Sequence, residues 1–235
     1  MALRLASLNT WKNEGAYPRR LELMASGLES LNLDVLLLQE VFIGGGWNTA
    51  DWLARRLGLI GHSFPARRKL RLHNGRSIMT ASGMAILART PVEARCLALE
   101  SDSRDGERIA VCADLAGGAA RVLNLHLSHL PGPSGDTLRK VQLNQALAWA
   151  RDRLSGTLVI GGDLNAQASA DCLKELWSGA PPAEGGSTTH GSGPAIDHLV
   201  HLGGPPLVVE RILLEEDFDG LKPSDHCGLF SIVEL

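Results

Sequence analysis

Eight residues suited to acid–base and metal chemistry stand at or beside the ends of short apolar runs. Asn9 follows the run 3–8, and Glu40 follows 35–38. His126 lies in Asn124-Leu125-His126-Leu127. Asp163 and Asn165 follow 158–160. Asp197 lies in Ile196-Asp197-His198, and Asp225 and His226 precede 228–233. Reactive groups collect at strand ends because a rigid scaffold holds the loops there. Glu40, Asp163, Asp225 and Asn9 offer hard oxygen donors, which select Mg²⁺, Mn²⁺ or Ca²⁺ over zinc. Carboxylates crowded together repel unless a cation sits between them. Such a cation polarises a phosphoryl oxygen and offsets charge in the transition state.

The elements that must position these residues can be read from local pattern. Residues 3–8 roughly alternate and read as a strand. A helix is expected over 18–31, with Pro18 in its first turn and Leu21, Met24, Ala25, Leu28 and Leu31 on one face. Val35-Leu36-Leu37-Leu38 is apolar throughout, as in a strand buried on both faces. Asn48 or Thr49 caps a short helix through Leu57. Further strands are expected at 83–87, 109–115, 121–127, 158–160, 196–202, 207–214 and 228–233. A long helix runs from Asp136 or Thr137 to Leu154, and another spans 170–177. The Gly- and Pro-rich stretch 179–194 reads as a surface loop. Strands and helices mix without a repeat or linker. The expected fold is a single α/β domain over 1–235, with two sheets packed together and helices outside.

The ordered pieces Ser7-Leu8-Asn9-Thr10-Trp11, Asp34-Val35-Leu36-Leu37-Leu38-Gln39-Glu40, Gly161-Gly162-Asp163-Leu164-Asn165, Ala195-Ile196-Asp197-His198-Leu199 and Ser224-Asp225-His226 resemble the endonuclease/exonuclease/phosphatase superfamily. Each piece alone is common by chance; all five in order at strand ends are specific. The resemblance implies a four-layer α/β sandwich, two packed mixed β-sheets flanked by helices. It also implies roles. Glu40 is the principal metal ligand, helped by Asn9 and Asp225, for Mg²⁺ or Mn²⁺. Asp163 orients and deprotonates water. Asn165 contacts phosphate. His226 holds a phosphate oxygen or protonates the leaving group, with Asp197 fixing its tautomer. His126 faces the scissile phosphate from the other side. The implied reaction is in-line attack of water on a phosphate ester, as in a phosphodiesterase or phosphatase.

The stretch Arg67-Arg68-Lys69-Leu70-Arg71-Leu72-His73-Asn74-Gly75-Arg76 carries five basic groups. A solvated loop is the plain reading. A clamp for anionic substrate, through Arg68, Arg71 and Arg76, is the functional one. Arg108 and Arg139 stand where the family often has Arg, with helix-surface charge the plain reading for Arg139. His129, His190, His198 and His201 are taken as structural or surface residues, and His129 lies nearest the rim.

A net charge of −3 and only 4 % aromatic residues argue against a protein that grips nucleic acid nonspecifically. A nuclease, including a DNA-repair endonuclease or exonuclease, is the second reading, so nucleic acid stays open as a partner. An inactive binding module on the same fold is the third. The four cysteines are far apart and form no Cys-x-x-Cys, as expected of reduced thiols. The first residues lack the apolar stretch of a signal peptide, and no apolar run has membrane-spanning length. A cytoplasmic location is expected. Nothing points to a protein partner.

Overall fold

The computed structural model describes residues 2–115, 118, 120–177, 188, 193–212 and 220–235. The chain runs β1 (Ala2–Asn9), α1 (Tyr17–Glu29), β2 (Val35–Gly44), β3 (Trp47–Asn48), α2 (Thr49–Leu57), β4 (Ile60–His73), β5 (Arg76–Ala88) and β6 (Ala94–Ala98). It continues with β7 (Ile109–Leu115), β8 (Ala120–His126), α3 (Gly132–Arg151), β9 (Thr157–Asp163), a 3-10 helix (Asp171–Leu176), β10 (Asp197–Leu202), β11 (Glu210–Ile212) and β12 (Gly228–Glu234). One sheet has the order β11-β12-β1-β2-β5-β4, with β3 added beside β2; the other has the order β10-β9-β8-β7-β6.

Each sheet is built around one parallel pair. β1 and β2 run parallel, joined through α1, and β8 and β9 run parallel, joined through α3. Their other named neighbours are antiparallel, so both sheets are mixed. Parallel pairs need a crossover, and the crossover helix covers the outer face of its sheet.

The apolar run in β2 shows how the layers form. Val35 and Leu37 point into the core between the sheets, while Leu36 and Leu38 pack against α1 and α2. In β8, Ala120 and Val122 face the intersheet core, whereas Leu123 and Leu125 meet α3. Successive strand residues face opposite ways, so a continuous apolar run serves two cores. The result is helix, sheet, sheet, helix: the four-layer α/β sandwich. Among the described residues, no helix is long and apolar enough to cross a membrane.

Several boundaries differ from the local reading. α3 starts at Gly132, four residues before Asp136, because Pro133 fits a first turn and Thr137 Oγ1 donates back to the Pro133 carbonyl instead of capping. The segment at 170–177 is a 3-10 helix. Residues 67–76 are not a loop: β4 and β5 form a long hairpin that turns at Asn74-Gly75, where both residues have positive φ. Most of 179–194 and residues 213–219 lie outside the described residues, as does His190.

Candidate active site

The eight candidates come to one rim. Asn9 and Glu40 lie at the C-terminal end of the parallel pair β1–β2. His126 and Asp163 lie at the same end of the parallel pair β8–β9 and stand opposite each other in register. Asp197 opens β10, directly across from Asp163. His226 precedes β12, which pairs with β1. Parallel strands therefore bring both halves of the molecule to a shared edge.

Asp163 is the centre. It is 2 % exposed. Asn9 Nδ2 donates to its Oδ2 at 3.0 Å, and the Asn165 backbone N–H donates to its Oδ1 at 3.0 Å. His126 Nε2 and His226 Nε2 lie 3.6 and 3.8 Å from Oδ2. Gly162 makes this approach feasible: its φ is +141°, and a Cβ there would stand 1.9 Å from the Leu125 carbonyl oxygen. Asn165 is itself left-handed, and its Nδ2 also donates to the Leu127 carbonyl at 3.0 Å. Among the described residues, one amide hydrogen of Asn165 has no acceptor.

His226 Nδ1 lies 2.8 Å from Asp197 Oδ2. The backbone N–H groups of Ile196 and Asp197 both donate to Thr188 Oγ1, which fixes the start of β10. Asp197 and His226 are each less than a tenth exposed.

Electrostatics separates the titrating groups. Burial, reinforced by Asp197, raises Asp163 well above the usual carboxylate range, against the opposing pull of His226, Asn165 and Asn9. Burial disfavours the charged ring of His226, but the Asp197 hydrogen bond and the charges of Asp197, Asp163 and Asp225 push it up to about 9. Burial, with Arg108 and His226, holds His126 well below 6.5 and therefore neutral. Near neutral pH one ring is a cation and the other is not.

Glu40 sits in a bulge of β2 with φ +52°, and its side chain meets Lys12 Nζ at 2.7 Å. Burial raises Asp225, and the charge of Glu40 adds to that rise. Asp225 thus feels Glu40 as a like charge, which is the condition a divalent cation relieves. The donor set fits a hard cation, provided that Lys12 leaves Glu40. A second group, Asp163, Asp197 and His226, has ligand atoms within 4.8 Å of one another. Two of those three side chains, Asp197 and His226, are already bonded to each other, as Glu40 is to Lys12.

One cleft opens beside these residues. Glu40 and His126 line it, as do Arg67, Lys69, Arg71, Arg108 and His129. Arg71 is buried there; Arg68 and Arg76 are exposed and are not among its lining residues. Strand alternation explains the difference, because Arg67, Lys69 and Arg71 share the face that Arg68 lacks.

Several further side chains hold the rim in place. Arg20 is fully buried in α1 and donates to the carbonyls of Thr10, Trp11, Lys12, Glu14 and Pro223. It ties the loop after β1 to the segment before Asp225. Gln39 Nε2 donates to Ser7 Oγ and to Asn124 Oδ1, and Asn124 Nδ2 donates to the Leu38 and Ala85 carbonyls, bridging the sheets. Arg139 is buried, not a helix-surface charge: it donates to the Ser128 and Leu130 carbonyls. Gln142 accepts from the Ser128 N–H, so both brace the loop after His126. Asp105 pairs with Arg108 at 2.5 Å and contacts His129. His198 bonds to the Ala166 carbonyl at 2.8 Å and serves structure.

Comparison with known proteins agrees with this architecture. Residues 6–226 match the Endonuclease/Exonuclease/phosphatase family. No curated protein matches the sequence. A family protein from Leptotrichia buccalis C-1013-b has TM-score 0.72 at 13 % identity, covering 99 % of this chain and 100 % of that one. A mannosyl-6-phosphatase from Bacteroides thetaiotaomicron VPI-5482 has TM-score 0.70 at 15 % identity, with coverage of 99 % and 100 %. The human Nocturnin catalytic domain with a bound sulfate anion has TM-score 0.68 at 19 % identity, with coverage of 98 % and 93 %. Such low identities speak for the fold alone, while the match over 6–226 goes further: the chain belongs to the endonuclease/exonuclease/phosphatase family.

Proposed function

We propose that this protein is a divalent-metal-dependent hydrolase of phosphate esters, with Mg²⁺ or Mn²⁺ as the cation. The observation that carries the reading is the buried Asp163 carboxylate, held by Asn9 and Asn165 and faced by the Nε2 atoms of two histidines in different protonation states. Asp163 orients the attacking water and takes its proton. Its raised pKa brings its basicity toward neutral pH, where a general base works best. His226, cationic up to about pH 9, holds a phosphoryl oxygen or gives a proton to the leaving oxygen. Asp197 is its positioning residue.

Neutral His126 places an uncharged ring on the other side of Asp163, and Asn165 offers its remaining amide hydrogen to the phosphate. Glu40, Asp225 and Asn9 would hold the cation. When bound there, the cation polarises the phosphoryl oxygen and offsets negative charge as water attacks. Arg71 and its neighbours on β4 attract the substrate's anion. Positioning and charge stabilisation supply most of the acceleration.

A compact phosphate ester is the favoured substrate. The net charge is negative, aromatic platforms are scarce, and one end-to-end structural neighbour is a mannosyl-6-phosphatase. The test is a panel of p-nitrophenyl phosphate, bis-p-nitrophenyl phosphate and plasmid DNA, run on wild type and Asp163→Asn. We expect ester turnover that falls on the order of 10²–10⁴-fold in the variant. Full activity in Asp163→Asn would overturn the assignment of the base, and turnover of plasmid alone would move the reading to a nuclease.

A further inference from the structure

Buried cations in proteins are normally set against an acid. Arg71 of β4 has no such partner among the described residues, and half-buried Arg67 and exposed Lys69 stand beside it on the same strand. Arg67, Lys69 and Arg71 occupy alternate positions, share one strand face and line the cleft, whose volume is about 230 Å³. None forms an ion pair with a described residue: of the acids along the cleft, Glu40 is engaged with Lys12 and Asp105 with Arg108, while Glu107 is exposed and pairs with none of the three. Arg71 is 7 % exposed. Its Nη atoms donate to the hydroxyls of Thr80 and Ser82, which aim the guanidinium, and its Nε is buried with no partner among the described residues. Burial and the charges of Arg71, Arg67 and Lys12 lower the pKa of Lys69, whereas Glu40 and Glu14 are the leading charges on Arg71.

We propose that Arg67, Lys69 and Arg71 form a second anion subsite that takes a phosphate group other than the one hydrolysed, so that the substrate is a small molecule carrying two phosphates. This rests on the phosphoesterase reading for the first phosphate. An anion here supplies the counter-charge these side chains lack. Arg71 would meet it as a guanidinium already aimed by Thr80 and Ser82. The cleft volume suits a compact ligand better than a nucleic-acid strand. The overall negative charge points the same way, since polynucleotide binding draws its affinity from many backbone contacts.

Calorimetry on the full chain in chelator, where metal-dependent hydrolysis is off, tests the subsite apart from catalysis. Glucose 1,6-bisphosphate and glucose 6-phosphate are titrated into wild type, Lys69→Met and Arg67→Met/Lys69→Met, with melting curves to confirm folding. Arg71 is left intact because its burial makes its replacement a risk to the fold. We expect wild type to bind the bisphosphate about tenfold or more tightly than the monophosphate, and the double variant to close most of that gap. Equal affinities in wild type, or a gap the double variant keeps, would overturn the subsite. Binding of an oligonucleotide more tightly than the bisphosphate, lost in the same variants, would overturn the small-molecule class. A wild-type gap that the double variant closes, beside an inactive ester panel, would sink the phosphoesterase reading and leave the subsite standing.

Discussion

Replacing Asp197 by Asn removes one negative charge from the Nδ1 side of His226 and leaves an oxygen that can still accept from the ring. His226 is pushed from an ordinary 6.5 to about 9, although burial alone would lower it. That rise corresponds to roughly 3 kcal/mol of preference for the charged ring. Asp197 supplies the largest favourable part, by hydrogen bond and by charge. Without it, burial dominates, and the ring should titrate at or below 6.5. The folded pKa lies above the unfolded one, so this contribution to stability is fully present below about pH 6.5. It is lost as pH rises through about 9. In chelator-treated wild type, the NMR titration of the His226 ring should have its midpoint near 9. In Asp197→Asn it should fall by about two units or more, and the wild-type loss of stability between pH 6 and 10 should shrink. A variant midpoint still near 9 would refute the argument that Asp197 holds the proton on His226.

Other outcomes follow from single contacts. Arg20→Met leaves five carbonyls without their shared donor and should cost about 3–5 kcal/mol in a denaturant melt, with loss of activity in the fraction still folded. A loss under about 1 kcal/mol would contradict the role given to this residue. Lys12→Met removes the ammonium 2.7 Å from Glu40, so Mn²⁺ should bind several-fold more tightly by electron paramagnetic resonance. Unchanged affinity would separate Glu40 from the cation.

Much of the architecture was legible because the sequence pattern reported burial. The all-apolar run 35–38 is a strand with a core on each face, and the bounds of β7 match the expected 109–115. The rim residues were legible because Asn9, Glu40, Asp163 and Asp197 each end or open such a run. The β4–β5 hairpin was legible only at 83–87, inside β5, and not over 67–82. Its basic and apolar residues alternate, but Leu70, Leu72 and Met79 stay exposed, so no buried face marked it as a strand. The same ambiguity drew attention to Arg68 and Arg76 while Arg67 and Lys69 face the cleft. Arg20 did leave a trace: it falls on the apolar face of α1 beside Tyr17, Leu21 and Met24, where a charge must find partners. The Lys12–Glu40 pair left none, because it depends on a loop and a bulge that bring backbone of positive φ together.

The most direct test of metal-dependent phosphoester hydrolysis is the turnover of p-nitrophenyl and bis-p-nitrophenyl phosphate by chelator-treated protein, followed across a titration of Mg²⁺ and then Mn²⁺. Turnover absent in chelator, restored by cation and lost again in Glu40→Gln is the predicted result. Equal turnover with and without chelator, or none at any cation concentration, would contradict the account.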